Sequence, residues 1–200
     1  MAVAIAPEKE LIDRAVALHG ELCPGLATGI QVARLALREV GAHAPNHRVV
    51  AVAETDMCGV DAVQALTGCT VGNRNLVMLD YGKLAFQFFT DGRSIRISGR
   101  HPWSTAYQAA RRRNVASTAS AAQNGEFEKL HRAEVDRILS TPPEELFSVS
   151  EITMERPLTS TVDPWLVCAD CGEEVMETRI RHLDGRQVCV PCYHRGTGRS

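Results

Sequence analysis

The last 35 residues of this chain carry Cys168-x2-Cys171 and Cys189-x2-Cys192, two pairs with 17 residues between them. No other feature restricts the fold as much. A segment this short cannot bury enough apolar surface to fold by itself, so it needs a staple. Each CxxC puts two sulfurs on one turn, and two such turns at about 15–20 residues' separation close a tetrahedron around zinc. Gly172, directly after the second cysteine, permits a tight backbone approach, and Asp184-Gly185 marks a hairpin between the pairs. Cys168, Cys171, Cys189 and Cys192 are therefore expected to ligate a structural zinc ion. A redox dithiol pair is the alternative. A four-thiolate site is closed, leaving the ion no open position for catalysis, so such a finger would serve docking. Arg179, Arg181, His182, Arg186, His194, Arg195 and Arg199 make this tail locally basic. A solvated face is the ordinary meaning of such a patch, and contact with nucleic acid the less common one.

The rest of the chain must build the main domain. Of all 200 residues 44% are apolar, enough for a proper core, and the net charge of −2 argues against general nucleic-acid binding. Glu8, Lys9, Glu10 and Asp13 do not suit a secretory signal, and no apolar run reaches the roughly 18 residues of a membrane helix. Seven cysteines, an odd number with four in CxxC pairs, suit metal or redox chemistry in a cytoplasmic protein better than a disulfide framework.

Periodicity predicts a helix over 8–19, with Leu11, Ile12, Ala15, Val16 and His19 on one face and Gly20 as its stop. A second helix runs from Pro24 to before Gly41 on the stripe Leu26, Ile30, Ala33, Leu37 and Val40. Arg48 to Glu54 reads as a strand, and a short helix follows Cys58 and ends at Gly68. Leu76–Asp80, Leu84–Thr90 and Ser94–Ser98 read as an antiparallel meander with turns at Asp80–Lys83 and Asp91-Gly92. Trp103–Asn114 is a weaker helix, Ala116–Asn124 is poorly specified, Glu126–Leu139 is a good helix, and Leu146–Glu155 is a last strand. The fold class is α+β, an antiparallel or mixed sheet packed on helices. It divides into a core at 1–155, a linker at 156–165 and a small C-terminal zinc finger at 166–200.

Within the core, His19, Cys23 and Cys58 share a placement. Both cysteines stand at helix starts, where free N–H groups and partial positive charge favour thiolate. His19 ends its helix four residues before Cys23, so all three side chains can reach one point. Three such ligands leave a position open for water or substrate. Plain packing is the alternative for each residue, since free cysteine is often just buried. Asp56 and Asp61 flank Cys58 and can add an oxygen ligand, orient one, or cap the helix.

These motifs carry a resemblance. His19-Gly20-Glu21-Leu22-Cys23-Pro24-Gly25 resembles the HGHLCPG signature of the FmdE family, named for its association with formylmethanofuran dehydrogenase. The stretch from Glu54 through Met57-Cys58-Gly59-Val60-Asp61 to Gly72 resembles that family's second motif, and 75–83 and 146–155 match further segments. The likeness spans about residues 8–155. It implies an α+β core, often dimeric, with a metal or ligand pocket, and a C-terminal finger of treble-clef or ribbon type. It implies His19, Cys23 and Cys58 as metal ligands or catalytic groups, with Asp61, Gln64, Thr67 and Cys69 contributing to cofactor or ligand binding. The second metal would be zinc or another transition metal. Glu21 departs from the family, which often has histidine there, and 101–124 matches nothing assignable. The expected function is a metal-binding accessory protein of a molybdenum- or tungsten-type redox enzyme. Its expected partners are a second copy of itself, components of the redox enzyme and a metal or small molecule, without a membrane. A stand-alone zinc- or thiol-dependent enzyme is one alternative. A ligand-sensing regulator whose finger contacts nucleic acid or polymerase is another.

Overall fold

The computed structural model describes residues 8–100, 102–115, 121–157 and 164–198. They divide into two compact units, one within 1–157 and one within 158–200. Most of the 156–165 linker, half of the Ala116–Asn124 stretch and Arg199 fall outside the described residues.

In the first unit, α1 (Glu8–His19) is followed by α2 (Pro24–Glu39), β1 (Val50–Ala53), α3 (Gly59–Thr67), β2 (Leu76–Met78), β3 (Ala85–Phe89) and β4 (Ser94–Gly99). Then come α4 (Thr105–Val115), α5 (Ala121–Ser140), the short α6 (Pro143–Leu146) and β5 (Phe147–Glu151). The sheet order is β2-β1-β3-β4-β5. β1–β3, β3–β4 and β4–β5 are antiparallel, whereas β2 pairs parallel with β1.

That parallel pair corrects the meander. β2 is not a hairpin partner of β3. Asp80–Lys83 instead passes the end of β1, where Lys83 N donates to Glu54 O at 2.9 Å, and reaches the sheet's middle. The cause lies in α3. A helix between two strands returns the second strand in the direction of the first, which makes a β1-α3-β2 crossover. The Asp91-Gly92 turn is a real hairpin, with Phe89 opposite Ser94 and Thr90 N bonded to Arg93 O at 2.9 Å.

Strand alternation sorts the sheet's faces. Ala51, Ala53, Phe86, Phe88, Ile95 and Ile97 point into the helix layer. Val50, Val52 and Phe89 form a small cluster on the other face. There the buried Glu54 carboxylate accepts from Arg96 Nε and Nη2 at 2.7 and 2.8 Å and from Gln87 Nε2 at 2.9 Å. The Arg96 hydrogen bond holds the Glu54 carboxyl below its ordinary value.

α2 is the centre of the helix layer, with 12 of its 16 residues buried. Of the expected stripe, Leu26, Ile30, Ala33 and Leu37 meet α1 and α3, while Val40 joins Ala27, Val32, Leu35 and Ala36 in the sheet-facing cluster. A helix apolar on both sides is a core helix rather than a surface one. Its buried amide is fully used. Gln31 Nε2 donates to the carbonyls of Ile138, Leu139 and Thr141 at 2.6, 3.2 and 2.9 Å, capping the end of α5.

The second unit holds β6 (Trp165–Val167), β7 (Glu174–Met176), a 3-10 turn, β8 (Ile180–Leu183), β9 (Arg186–Cys189) and α7 (Val190–Thr197). Two antiparallel pairs, β6–β7 and β8–β9, supply its strands. Asp184 and Gly185 both have positive φ, 49° and 77°, the two-residue hairpin that Asp-Gly favours. Among the described residues, no helix is long and apolar enough to cross a membrane.

Candidate metal centre

α1 ends at His19, and Gly20 turns the chain away with φ +99°. Four residues after His19, Cys23 is the N-cap of α2, in extended geometry, its Sγ accepting from Leu26 N at 3.3 Å. This is the position where serine or aspartate ordinarily caps a helix. Cys58 precedes α3 and is already in helical geometry, with φ −42° and ψ −31°. It makes no side-chain capping bond. Thr55 Oγ1 accepts from Met57 N at 3.3 Å beside it, and Asp56 is exposed. The two helix starts meet because Gly25 has no side chain. A Cβ there would stand 3.0 Å from Cys58 Cβ and 3.3 Å from its Sγ.

One ligand atom each from His19, Cys23 and Cys58 lies within 4.8 Å of the other two. His19 Nε2 is 3.7 Å from Cys23 Sγ, and its Nδ1 is 2.7 Å from Asp61 Oδ2. A carboxylate accepting the Nδ1–H fixes the tautomer and leaves Nε2 as the free donor atom, as carboxylates do behind ligating histidines. Asp61 Oδ1 in turn accepts from Gln64 Nε2 at 3.3 Å, and Gln64 Oε1 accepts from Val71 N at 3.2 Å. Asp61 and Gln64 thus stand behind the imidazole.

The expectation of two readily ionised thiols is corrected for Cys58. Burial, and then the neighbouring Cys23 sulfur, push its thiol above the ordinary value. Two sulfurs this close resist carrying charge together, which a cation between them reverses.

Thr67 and Cys69 are not brought to this group. Thr67 sits at the far end of α3, fully buried, its hydroxyl donating to Val63 O at 2.6 Å and accepting from Cys69 N at 3.2 Å. Cys69 Sγ lies 3.5 Å from Val49 O in the sheet-facing core, and burial raises its thiol to about 11. Thr67 closes the helix end onto Cys69, and Cys69 ties that end to Val49, the residue before β1. Glu21 is exposed and stands outside the three-ligand group.

In the second unit, Cys168, Cys171, Cys189 and Cys192 place their four sulfurs within 4.8 Å of one another. Cys168 Sγ accepts from Cys189 N at 3.2 Å. Backbone N–H groups, first that of Cys171 and then that of Cys189, lower its pKa to about 6. Cys192, hydrogen-bonded first to Cys189 and also buried, rises to about 12. A cluster of four sulfurs shares its charge unevenly until a cation enters. Arg195 Nη2 donates to Cys192 Sγ at 2.8 Å, adding one positive charge at the rim.

Residues 18–148 match the family described as FmdE, Molybdenum formylmethanofuran dehydrogenase operon. The chain belongs to the FmdE family. Residues 164–195 match the prokaryotic dksA/traR C4-type zinc finger, so the second unit is a zinc finger. A curated relative from Archaeoglobus fulgidus, a probable S-adenosyl-L-methionine-binding protein, is 27% identical over 94% of this FmdE chain and 55% of its own length. The chain thus spans about half of that relative. A crystal structure of a tungsten formylmethanofuran dehydrogenase FmdE-like protein from Syntrophus aciditrophicus superposes with a TM-score of 0.59. It is 21% identical and covers 96% of each chain, which establishes a shared fold.

Proposed function

We propose that this FmdE protein binds a transition metal at His19, Cys23 and Cys58 and serves a molybdenum- or tungsten-type redox enzyme as an accessory. The observation that carries the reading is the meeting of three soft donor atoms with a carboxylate behind the imidazole. Two sulfurs and one nitrogen suit zinc or a similar late transition metal, and three protein ligands leave a further position for an exogenous one. Bound there, the ion would act as a Lewis acid or be passed on. This chain's own part is to hold the sulfurs at the two helix starts and to keep the proton of His19 on Nδ1, toward Asp61. The family description names a dehydrogenase operon, which supports the association. The finger, with all four thiolates committed, is the docking element.

Metal analysis tests this directly. The parent chain is expected to hold two metal ions, and the Cys23→Ser/Cys58→Ser variant one. One ion in both would leave only the finger and end the proposal. Asp61→Ala is expected to weaken the core ion roughly 10- to 100-fold, as loss of a carboxylate behind a ligating histidine does elsewhere. Competition with a coloured chelator reads that change, and the finger's affinity is the internal control.

Binding of S-adenosyl-L-methionine is the second reading, supported by the Archaeoglobus relative's alignment with nearly the whole of this chain. Equilibrium dialysis against the labelled compound decides it.

A further inference from the structure

The core and the finger gather their sulfurs by different means. In the finger, three of the four buried apolar residues are the ligands themselves, so the ion draws them together. In the core, packed helices do so. Cys23 stands at the start of α2 and Cys58 at the start of α3. The two helices touch backbone to backbone, since a Cβ on Gly59 would lie 3.2 Å from Gly29 Cα and 3.4 Å from Gly25 O. Leu26, Ile30 and Ala33 of α2 share one buried cluster with Ala62 and Leu66 of α3 and with Cys23 itself. None of this packing uses the ion, so the two cysteines stay neighbours when it leaves.

Their sulfurs lie within 4.8 Å of each other. A Cβ on Gly25 would lie 3.3 Å from Cys58 Sγ and 3.8 Å from Cys23 Sγ, so both sulfurs flank that one glycine. A disulfide needs them about 2.05 Å apart. Rotation of Cys58 closes the gap, and this side chain makes no capping bond that the rotation would break. Cys58 is also the more open of the pair, half-buried where Cys23 is 8% exposed. The third cysteine of the core is placed elsewhere. Cys69 is fully buried beyond the other end of α3, its Sγ 3.5 Å from Val49 O in the sheet-facing cluster.

We propose that Cys23 and Cys58 form a reversible disulfide that expels the core ion, so that metal binding at this centre follows the thiol–disulfide balance around the protein. The inference rests on the metal-binding reading above and concerns its regulation. The oxidant is a low-molecular-weight disulfide. Both protein sulfurs are thiolates while they hold the ion, and a thiolate is the attacking species in exchange. Cys58 attacks one sulfur of the reagent, a mixed disulfide forms and one reagent thiolate leaves. Cys23 then attacks the Cys58 sulfur, the Cys23–Cys58 bond forms and the second reagent thiolate leaves. The protein sulfurs give up two electrons, the reagent takes them, and two protons from solvent convert its thiolates to thiols. The ion loses two of its three protein ligands, and His19 alone does not retain it. Three protein ligands leave a path of approach to the core ion, whereas the four-thiolate finger is closed. Reduction by excess thiol reverses each step, because the helices still present the pair.

Oxidised glutathione, added without air to the zinc-loaded full chain, tests this. The reduced chain is expected to hold two zinc ions. Oxidation should release one of them to a coloured chelator. Tandem mass spectrometry of the digested chain should then show Cys23 linked to Cys58, with two hydrogens lost and Cys69 free. Dithiothreitol followed by zinc should restore two ions. Two ions before oxidation and no Cys23–Cys58 link after it would overturn the switch and spare the centre, and cysteines left free, capped by glutathione or paired through Cys69 all count as no link. A link formed with both ions retained would overturn it equally. A single zinc in the reduced chain would sink the centre itself, and the switch with it.

Discussion

Stripping zinc from this chain with a strong chelator is expected to unfold β6 to α7 and to leave β1, β3 and α2 folded. The buried apolar set of the second unit is Cys168, Val188, Cys189 and Cys192, three of the four being metal ligands. Its strands come in two separate pairs of three or four residues, and an isolated pair is marginal in water. Trp165 and Val167 are more than half exposed and add little burial. Against this stands the free energy of zinc binding to structural sites, about 10–16 kcal/mol near neutral pH, which in such small modules is the folding free energy. The metal term exceeds anything one buried valine supplies, about 1.5–3 kcal/mol. Amide hydrogen exchange reads the result. Amides of Ile180 and Cys189, bonded to Glu177 O and Cys168 Sγ, should exchange slowly with zinc and near the free rate without it, while those of Ala51 and Phe88 keep their protection. Cys168→Ser should reproduce the chelated pattern. Slow exchange at Cys189 after complete zinc removal would show that side-chain packing, not metal, holds this unit.

The elements legible in the sequence are those whose signals are local. Gly20 and Pro24 bracket the break between α1 and α2, Asp184-Gly185 makes the hairpin of the finger, and the CxxC spacing brings four sulfurs together. His19, Cys23 and Cys58 can be named because helix ends are read from such signals, although their meeting depends on the α2–α3 packing. What periodicity cannot give is the identity of a strand's partner. Leu76–Met78 looks the same whether it pairs with β1 or β3, and only the crossover through α3 decides. Burial is hidden for a similar reason. Cys69 is one residue past the helix stop Gly68, and nothing local reveals that its sulfur faces Val49 O across the core. The helix-start position of Cys58 predicts a thiol that ionises easily. Burial and a second sulfur outweigh the dipole there, and both depend on neighbours far away in sequence. The helix α4 gives little sequence signal because its pattern is weak and it is held by Glu134, Thr28 and Phe127, each distant along the chain.

Replacing Gly29 by alanine should cost about 3 kcal/mol and disrupt the core centre, although alanine is the better helix former. Gly29 lies in the second turn of α2 against Gly59, the first residue of α3. A Cβ at position 29 would meet Gly59 Cα and O at 2.4 Å and its carbonyl carbon at 2.8 Å. Those atoms are backbone, and ordinary carbon contacts begin near 3.5 Å, so α3 must retreat by about an ångström. The propensity gain of alanine over glycine inside a helix is about 0.5–1 kcal/mol, and overpacking a tight core costs typically about 1–3 kcal/mol or more, so the clash wins. Cys58 is bonded to Gly59 and moves with it, away from Cys23. Chemical denaturation should therefore show a lower midpoint for Gly29→Ala, and metal analysis should show the core ion lost before the finger's. Gly125→Ala is the matched control. Gly125 lies inside α5, with nothing within 4 Å of an added Cβ. There the propensity term acts alone, and the same substitution should stabilise by about 0.5–1 kcal/mol. If Gly29→Ala stabilised the chain as Gly125→Ala does, the close α2–α3 contact that sets Cys58 beside Cys23 would not exist.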